Sequence, residues 1–306
     1  VVHPPFGADE AGGMEYPTLI TAGTVHGLPE GLRAVELVII HEFGHNYWYH
    51  LLASNEFEES WMDEGINTYT EIQIMNDAYG PTGDSFDLLG IKINAEQMHR
   101  GQYIFFADYD PMVRRSWEYY NGTSYGVNSY SKPGVVLTTL HNYLGAEKMQ
   151  NVMRTYVERW RFKHPKTQDF IDIVNEVSGE DLSWFFEQAF FSSAVVDYSV
   201  DAVFSRPVRS GRGFDFDLSV DENDETTDDD ESATNGANGD LGEADTADIA
   251  EEKMFYSGVN IRRLGDFRFP VEIELIFDNG DTLRESWDGQ ELWKKFRYTK
   301  LARLLS

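Results

Sequence analysis

From Leu32 to Ala53 the chain is apolar nearly all round a helical wheel, yet it sets two histidines and a glutamate into that run as Ile40-His41-Glu42-Phe43-Gly44-His45. Such a stretch predicts a buried helix. Imidazoles and a carboxylate buried in it are expensive unless something satisfies them. Residues four apart share a helical face, so His41 and His45 can reach one ion. Glu42 is rotated from them by a fraction of a turn and can sit beside the ion's water without ligating the ion. The plainer alternative is a pair of core histidines beside a satisfied glutamate.

Three features weigh against that alternative. Glu64 follows His45 after 18 intervening residues, at the start of a second predicted helix running from about Ser60 to Ala78. There Ser60-Trp61-Met62-Asp63 reads as a capping start and Tyr79-Gly80-Pro81 as a stop. A loop of that length can fold back so that Glu64 supplies a third ligand. Two His and one Glu leave one position open, the pattern of a catalytic zinc. Thr68 and Glu71 lie four and seven residues beyond Glu64 on the same face. Glu71 is placed to accept a hydrogen bond from a ligand imidazole and fix its tautomer; the alternative for it is a solvated surface carboxylate. Lastly, the all-round apolar ligand helix favours a metal that satisfies its polar groups. The chain has no cysteine, so a metal must be held by His and carboxylates, and the expected cofactor is one Zn²⁺ ion.

At 306 residues the chain exceeds one typical core, and two domains are expected. Helices are read near 32–53, 60–78, 85–108, 132–144, 146–162, 167–177 and 181–191, after a Gly- and Pro-rich opening with short strand edges. Alternation then begins at Val195–Val200 and recurs at Phe214–Leu218 and Val271–Leu275, with Asn279-Gly280 as a hairpin signal. The net charge of −28 disfavours nucleic acid and anionic membranes as partners, although half of it lies in the 14 acidic residues between Asp221 and Glu252. That stretch reads as a disordered insertion; as a calcium loop it lacks the Asp-x-Asp-x-Asp-Gly register. No apolar run reaches membrane-spanning length, and the opening Val1-Val2-His3-Pro4-Pro5 is expected to be cut from a longer protein.

These residues resemble the alanyl-aminopeptidase family of gluzincin metallopeptidases. His41-Glu42-x-x-His45 and Glu64 within Trp61-Met62-Asp63-Glu64-Gly65 match its signature of Trp, an apolar residue, Asn, the ligand Glu and Gly, with Asp63 in place of Asn. Gly12-Gly13-Met14-Glu15-Tyr16 resembles its Gly-x-Met-Glu-Asn exopeptidase motif, with Tyr16 for Asn. Tyr130-Ser131-Lys132 resembles the segment that carries its catalytic tyrosine, although Pro133 follows where Gly is often found.

The resemblance implies an α+β multidomain chain. Residues 1–194 would be a mostly α-helical, thermolysin-like zinc peptidase domain lacking its N-terminal part. Residues 195–306 would be a small antiparallel β-sandwich-like domain, incomplete at its C-terminus and interrupted by the disordered insertion at about 221–252. It implies hydrolysis of the N-terminal peptide bond of peptides with a free N-terminus. Glu42 would be the base that activates water on the metal, and Tyr130 the donor to the oxyanion. Glu15 would be the acceptor for the substrate α-ammonium, and the backbone of Gly12 and Gly13 would line the substrate strand. Without the resemblance, Tyr130 reads as one core tyrosine among 16 and Glu15 as part of a turn. Competing expectations are an endopeptidase, an epoxide-hydrolysing variant, and an inactive scaffold or binding module. His26, His50, His99, His141 and His164 have no partner at ligand spacing and are read as ordinary helix or surface histidines.

Overall fold

The computed structural model describes residues 1–5, 7–8, 11–25, 27–208 and 253–306. The strand expected at 214–218, the acidic insertion and His26 lie outside the described residues. The chain divides into two compact units, Val1–Asp197 with Leu264–Phe269, and Tyr198–Arg263 with Pro270–Ser306. The division near 194 thus falls at Asp197, and a short return segment belongs to the first unit.

The first unit opens with a two-stranded antiparallel pair, β1 (Gly13–Met14) and β2 (Thr21–Ala22). Helix α1 (Ala34–Trp48) follows and packs on α2 (Ile66–Tyr79). The expectation that α1 is buried holds for one side only. Glu42, Gly44 and His45 are buried, while Phe43 and Tyr47 are more than half exposed, because its neighbours cover a single face.

Two further expectations are corrected. The single helix read over 85–108 is a hairpin followed by a helix: β3 (Phe86–Leu88) pairs with β4 (Ile91–Ile93), and α3 spans Ala95–Phe106. Leu89 and Gly90 both have positive φ, the backbone of a two-residue hairpin turn. Asn94 and Gln97 then bond reciprocally to each other's backbone N–H, a capping box that starts α3. At the second site helix, Ser60 does not cap. Its Oγ meets Ser129 Oγ at 2.7 Å, and Asp63 turns to α1 instead. The first turn, Trp61–Gly65, is π-helical, with Ile66 N–H bonding Trp61 C=O. A second π turn, Val127–Ser131, links α4 (Gly122–Gly126) to α5 (Lys132–Leu144). Each inserts a residue into the helical repeat and re-aims its side chains, a device frequent at functional sites.

Helices α6 (Ala146–Trp160), α7 (Thr167–Ser178) and α8 (Ser183–Ala189) complete the unit. Its core gathers Trp61, Met62, Leu137, Leu140, Tyr156, Phe170, Phe186 and Phe190, all nearly inaccessible, with Phe267 from the return segment. Trp61 is held edge-on by Phe170 and Phe190 and donates Nε1–H to Thr167 Oγ1 at 2.8 Å. This anchors the residue three before Glu64.

The second unit holds an antiparallel sheet in the order β5 (Tyr198–Pro207), β6 (Phe255–Arg263), β9 (Trp293–Lys300), and a hairpin of β7 (Val271–Ile276) and β8 (Thr282–Trp287). Strand β5 starts three residues later than the alternation at 195–200 implies. Val259, Ile261, Leu275, Phe277, Trp287 and Phe296 bring sheet and hairpin around one core. Among the described residues, no helix is long and apolar enough to cross a membrane.

Candidate metal centre

Helices α1 and α2 meet where Gly44 faces Asn67. A Cβ on Gly44 would fall inside the Asn67 side chain, whose Nδ2 donates to His41 C=O at 2.7 Å. Gly65 makes the corresponding approach to Pro133, which draws the two π turns together. These contacts need the absence of a side chain, not unusual backbone angles.

The result is a convergence of His41, His45 and Glu64. Glu64 Oε2 lies 3.1 Å from His41 Nε2 and 3.3 Å from His45 Nε2, and the three ligating atoms fall within 4.8 Å of one another. The far side of each ring is also engaged. His41 Nδ1 lies 3.0 Å from Glu71 Oε2, and His45 Nδ1 lies 2.6 Å from Asp63 Oδ1. Carboxylates only accept, so each Nδ1 carries a proton and donates. Both Nε2 atoms then point at the Glu64 carboxylate, and three acceptor-type groups converge. A second proton on each imidazole, or one metal cation between the three groups, satisfies that geometry. The N, N, O donor set fits zinc with a position left open, with both imidazoles oriented from behind by carboxylates.

Electrostatics agree. Burial, the largest influence on His41, favours its neutral form, but hydrogen bonds and charge from Glu64 and Glu71 outweigh it and raise the pKa to about 9. For His45 burial is likewise overcome by Asp63 and Glu64, and the value rises to about 10. Burial would lift Glu64, yet the two histidines hold it down at about 2. The pocket is built to hold positive charge.

The remaining site residues surround this centre. Glu42 is buried, and burial raises its pKa against the lowering effect of both histidines. Its Oε1 packs on Gly13, where an added Cβ would meet it at 2.7 Å. Glu15 is buried, with a carboxylate oxygen within 4.8 Å of ligating atoms of Glu42 and His45. Gly12 C=O accepts from Gly23 N–H, tying the glycine strand to the chain after β2. The Tyr130 ring stacks on His41 with centroids 5.7 Å apart, and its phenol lies within the influence of the Glu64 carboxylate. Burial, with the Glu64 charge, keeps that phenol protonated. Glu71 is buried rather than solvated. All nine residues singled out in the sequence lie in this one region.

Comparison with known proteins decides the family. The model described as the peptidase family M1 domain matches residues 1–189. The chain belongs to the M1 peptidase family. Within the M1 family, the chain is similar to aminopeptidase M1-D of Oryza sativa subsp. japonica, 23% identical over 149 residues, which cover 48% of this chain and 16% of that protein. It is 27% identical over 162 residues to leucine aminopeptidase 2 of Phaeosphaeria nodorum, covering 52% of this chain and 25% of that protein. The chain thus spans a quarter or less of these M1 relatives' length. Its fold resembles that of Legionella pneumophila aminopeptidase A, solved in complex with aspartic acid, with a TM-score of 0.52 at 13% identity, over 94% of this chain and 28% of that one.

Several residues that sequence reasoning leaves aside take part. Asp63, which stands out in the sequence only as a departure from Asn, is the hydrogen-bond partner of His45. His99, read as ordinary, places Nε2 3.7 Å from Glu71 Oε1 and Nδ1 3.1 Å from Ser131 Oγ. Asn67 ties α1 to α2. The position of Asp63 beside Glu64 is a usable signal; His99 arrives from α3 with no spacing that marks it. His141 and His164 lie elsewhere, against Tyr69 Oη and Ala53 C=O.

Proposed function

We propose that this chain is the catalytic part of a zinc aminopeptidase that releases the N-terminal residue of peptides. The observation that carries the reading is the convergence of Glu15 with Glu42 and His45, their ligating atoms within 4.8 Å. A carboxylate fixed beside the reacting centre pairs with a free α-ammonium and limits how much substrate fits beyond it.

His41, His45 and Glu64 would hold the ion. When bound, zinc supplies Lewis acidity to the scissile carbonyl and to water. Glu42, raised by burial toward the operating range of a general base, takes the proton of the attacking water and returns it to the leaving amine. The Tyr130 hydroxyl, kept protonated by its surroundings, donates to the developing oxyanion. Glu15 anchors the ammonium, and the Gly12–Gly13 backbone allows the substrate strand close approach. Glu71 and Asp63 hold the two imidazoles in the tautomer that directs Nε2 inward.

The test uses leucine 4-nitroanilide and its N-acetylated form with zinc-loaded protein. Release from the free amine alone is expected, with Glu15→Ala losing activity while still binding zinc. Equal cleavage of the blocked substrate would refute the exopeptidase reading.

A further inference from the structure

The loop between α1 and the ligand Glu64 carries a carboxylate to which the proposed chemistry assigns no role. Glu56 offers an oxygen within 4.8 Å of ligating oxygens of both Glu15 and Asp63. It also lines a cavity of about 320 Å³ with Tyr49, Ser54, Asn55 and His164. The cavity adjoins the metal centre: the Tyr49 ring meets the His45 ring edge-on at 6.4 Å, and Asp63 bonds His45.

We infer that this cavity is the pocket for the side chain of the substrate's first residue, and that Glu56 selects a cationic one, lysine or arginine. The inference rests on the aminopeptidase reading and deepens it.

Charge balance is the first support. Glu15, Glu42, Glu56, Asp63, Glu64 and Glu71 put six carboxylates around two imidazoles. One divalent ion and one α-ammonium supply three positive charges and leave three of these carboxylates uncompensated, and no lysine or arginine among the described residues pairs with Glu56. Burial, then Glu15 and Glu64, raise its pKa, the mark of a carboxylate short of a counter-charge.

Unsatisfied polar groups are the second. Ser54 is 6% exposed, lines the cavity, and its Oγ has no hydrogen-bond partner among the described residues. Asp63 Oδ2 is likewise buried and unbonded. The His164 ring donates Nδ1–H to Ala53 C=O at 2.8 Å, which leaves Nε2 as an acceptor. Acceptors from Glu56, Ser54 and His164 thus line a space of side-chain size. Tyr49 adds an aromatic face, which attracts ammonium and guanidinium groups.

The experiment compares arginine, citrulline and leucine 4-nitroanilides with wild type and Glu56→Gln. Citrulline keeps the shape of arginine without its charge. The arginine-to-citrulline ratio of kcat/KM is expected to be about 10-fold or more in wild type, from a charge-assisted contact, and to fall close to one in Glu56→Gln. Leucine turnover with no preference for arginine over citrulline in wild type would overturn this inference and leave the aminopeptidase reading standing. No turnover of any free-amine substrate would sink that reading instead. The pocket is then judged by calorimetric binding of argininamide against citrullinamide to zinc-loaded Glu42→Gln, where equal affinities overturn it. Those two ratios stand even if Glu56→Gln fails to fold. Metal analysis finding two zinc ions per chain, one lost in Glu56→Gln, would overturn it in favour of a second cation site.

Discussion

Asp63 accepts a 2.6 Å hydrogen bond from His45 Nδ1 while its neighbour Glu64 presents Oε2 3.3 Å from Nε2 of the same ring. Two adjacent carboxylates thus grip one imidazole from opposite edges. The two residues lie in the π turn Trp61–Gly65, and both side chains reach α1. Asp63→Asn keeps an acceptor for Nδ1–H but removes the negative charge that makes the ring a strong donor to metal. Zinc affinity should drop by roughly 10-fold, within the range found for partners behind a ligand. Chelator competition measures it, and an unchanged affinity would mean that geometry alone matters at this position.

Glu71 performs the matching task for His41, with His99 on its other oxygen. Glu71→Ala should weaken zinc binding by about 10- to 100-fold, and Glu71→Gln by less, because an amide oxygen can still accept from Nδ1–H. The order of the two variants is the test. A larger loss in the glutamine variant would show that Glu71 does not act as an acceptor.

Glu42→Gln and Tyr130→Phe separate chemistry from metal holding. The first removes the base and should lower kcat by about 10²–10⁴. The second removes one oxyanion donor and should lower it by about 10²–10³. Both should retain one zinc per chain by metal analysis. Loss of metal in Tyr130→Phe would assign its hydroxyl to supporting Glu64 rather than to substrate.

Much of this centre is legible in the amino-acid sequence. His41, His45 and Glu64 announce themselves through helical spacing and the interval between two helices. Thr68 and Glu71 follow from the face that Glu64 defines. What spacing cannot reveal is registry between elements distant in sequence. His99 reaches Glu71 from α3, and Ser60 meets Ser129 across 69 positions. Ser60 also shows how a local signal fails. The capping pattern Ser-x-x-Asp is present, but tertiary partners claim both polar side chains. The helix read over 85–108 fails for the opposite reason. Its turn residues Leu89-Gly90 and its Asn94–Gln97 box are visible in the chain, and the apolar run hides them.

Gly65 tests how tightly the two π turns are joined. A methyl group there would overlap the ring of Pro133 and crowd Ser129 C=O. In a packed core such overpacking costs about 1–3 kcal/mol. Gly65→Ala should therefore lower the denaturation midpoint and weaken zinc binding together, because the same shift displaces Glu64. A stability loss with normal zinc affinity would show that the turns move without disturbing the ligands.

Lys132 supplies a pH signature independent of the metal. It is fully buried, and its Nζ donates to the carbonyls of Ser192 at 3.1 Å and Asp110 at 3.4 Å, with no carboxylate in ion-pair range among the described residues. Burial lowers its pKa to about 8, only partly opposed by Asp110. A lysine depressed in the folded state binds fewer protons there than when unfolded at pH between about 8 and its ordinary value near 10.5. Stability from this group therefore rises with pH across that window, and the penalty is complete below about 8. Lys132→Met should remove the penalty. The variant should be more stable than wild type at pH 7 by the order of 1–3 kcal/mol, an upper range set by the size of the shift. The difference should shrink steadily toward pH 10.5. Denaturant titrations of both proteins at pH 7, 8.5 and 10 measure it. A variant less stable than wild type at pH 7 would mean that the two carbonyl hydrogen bonds outweigh the desolvation of the charge.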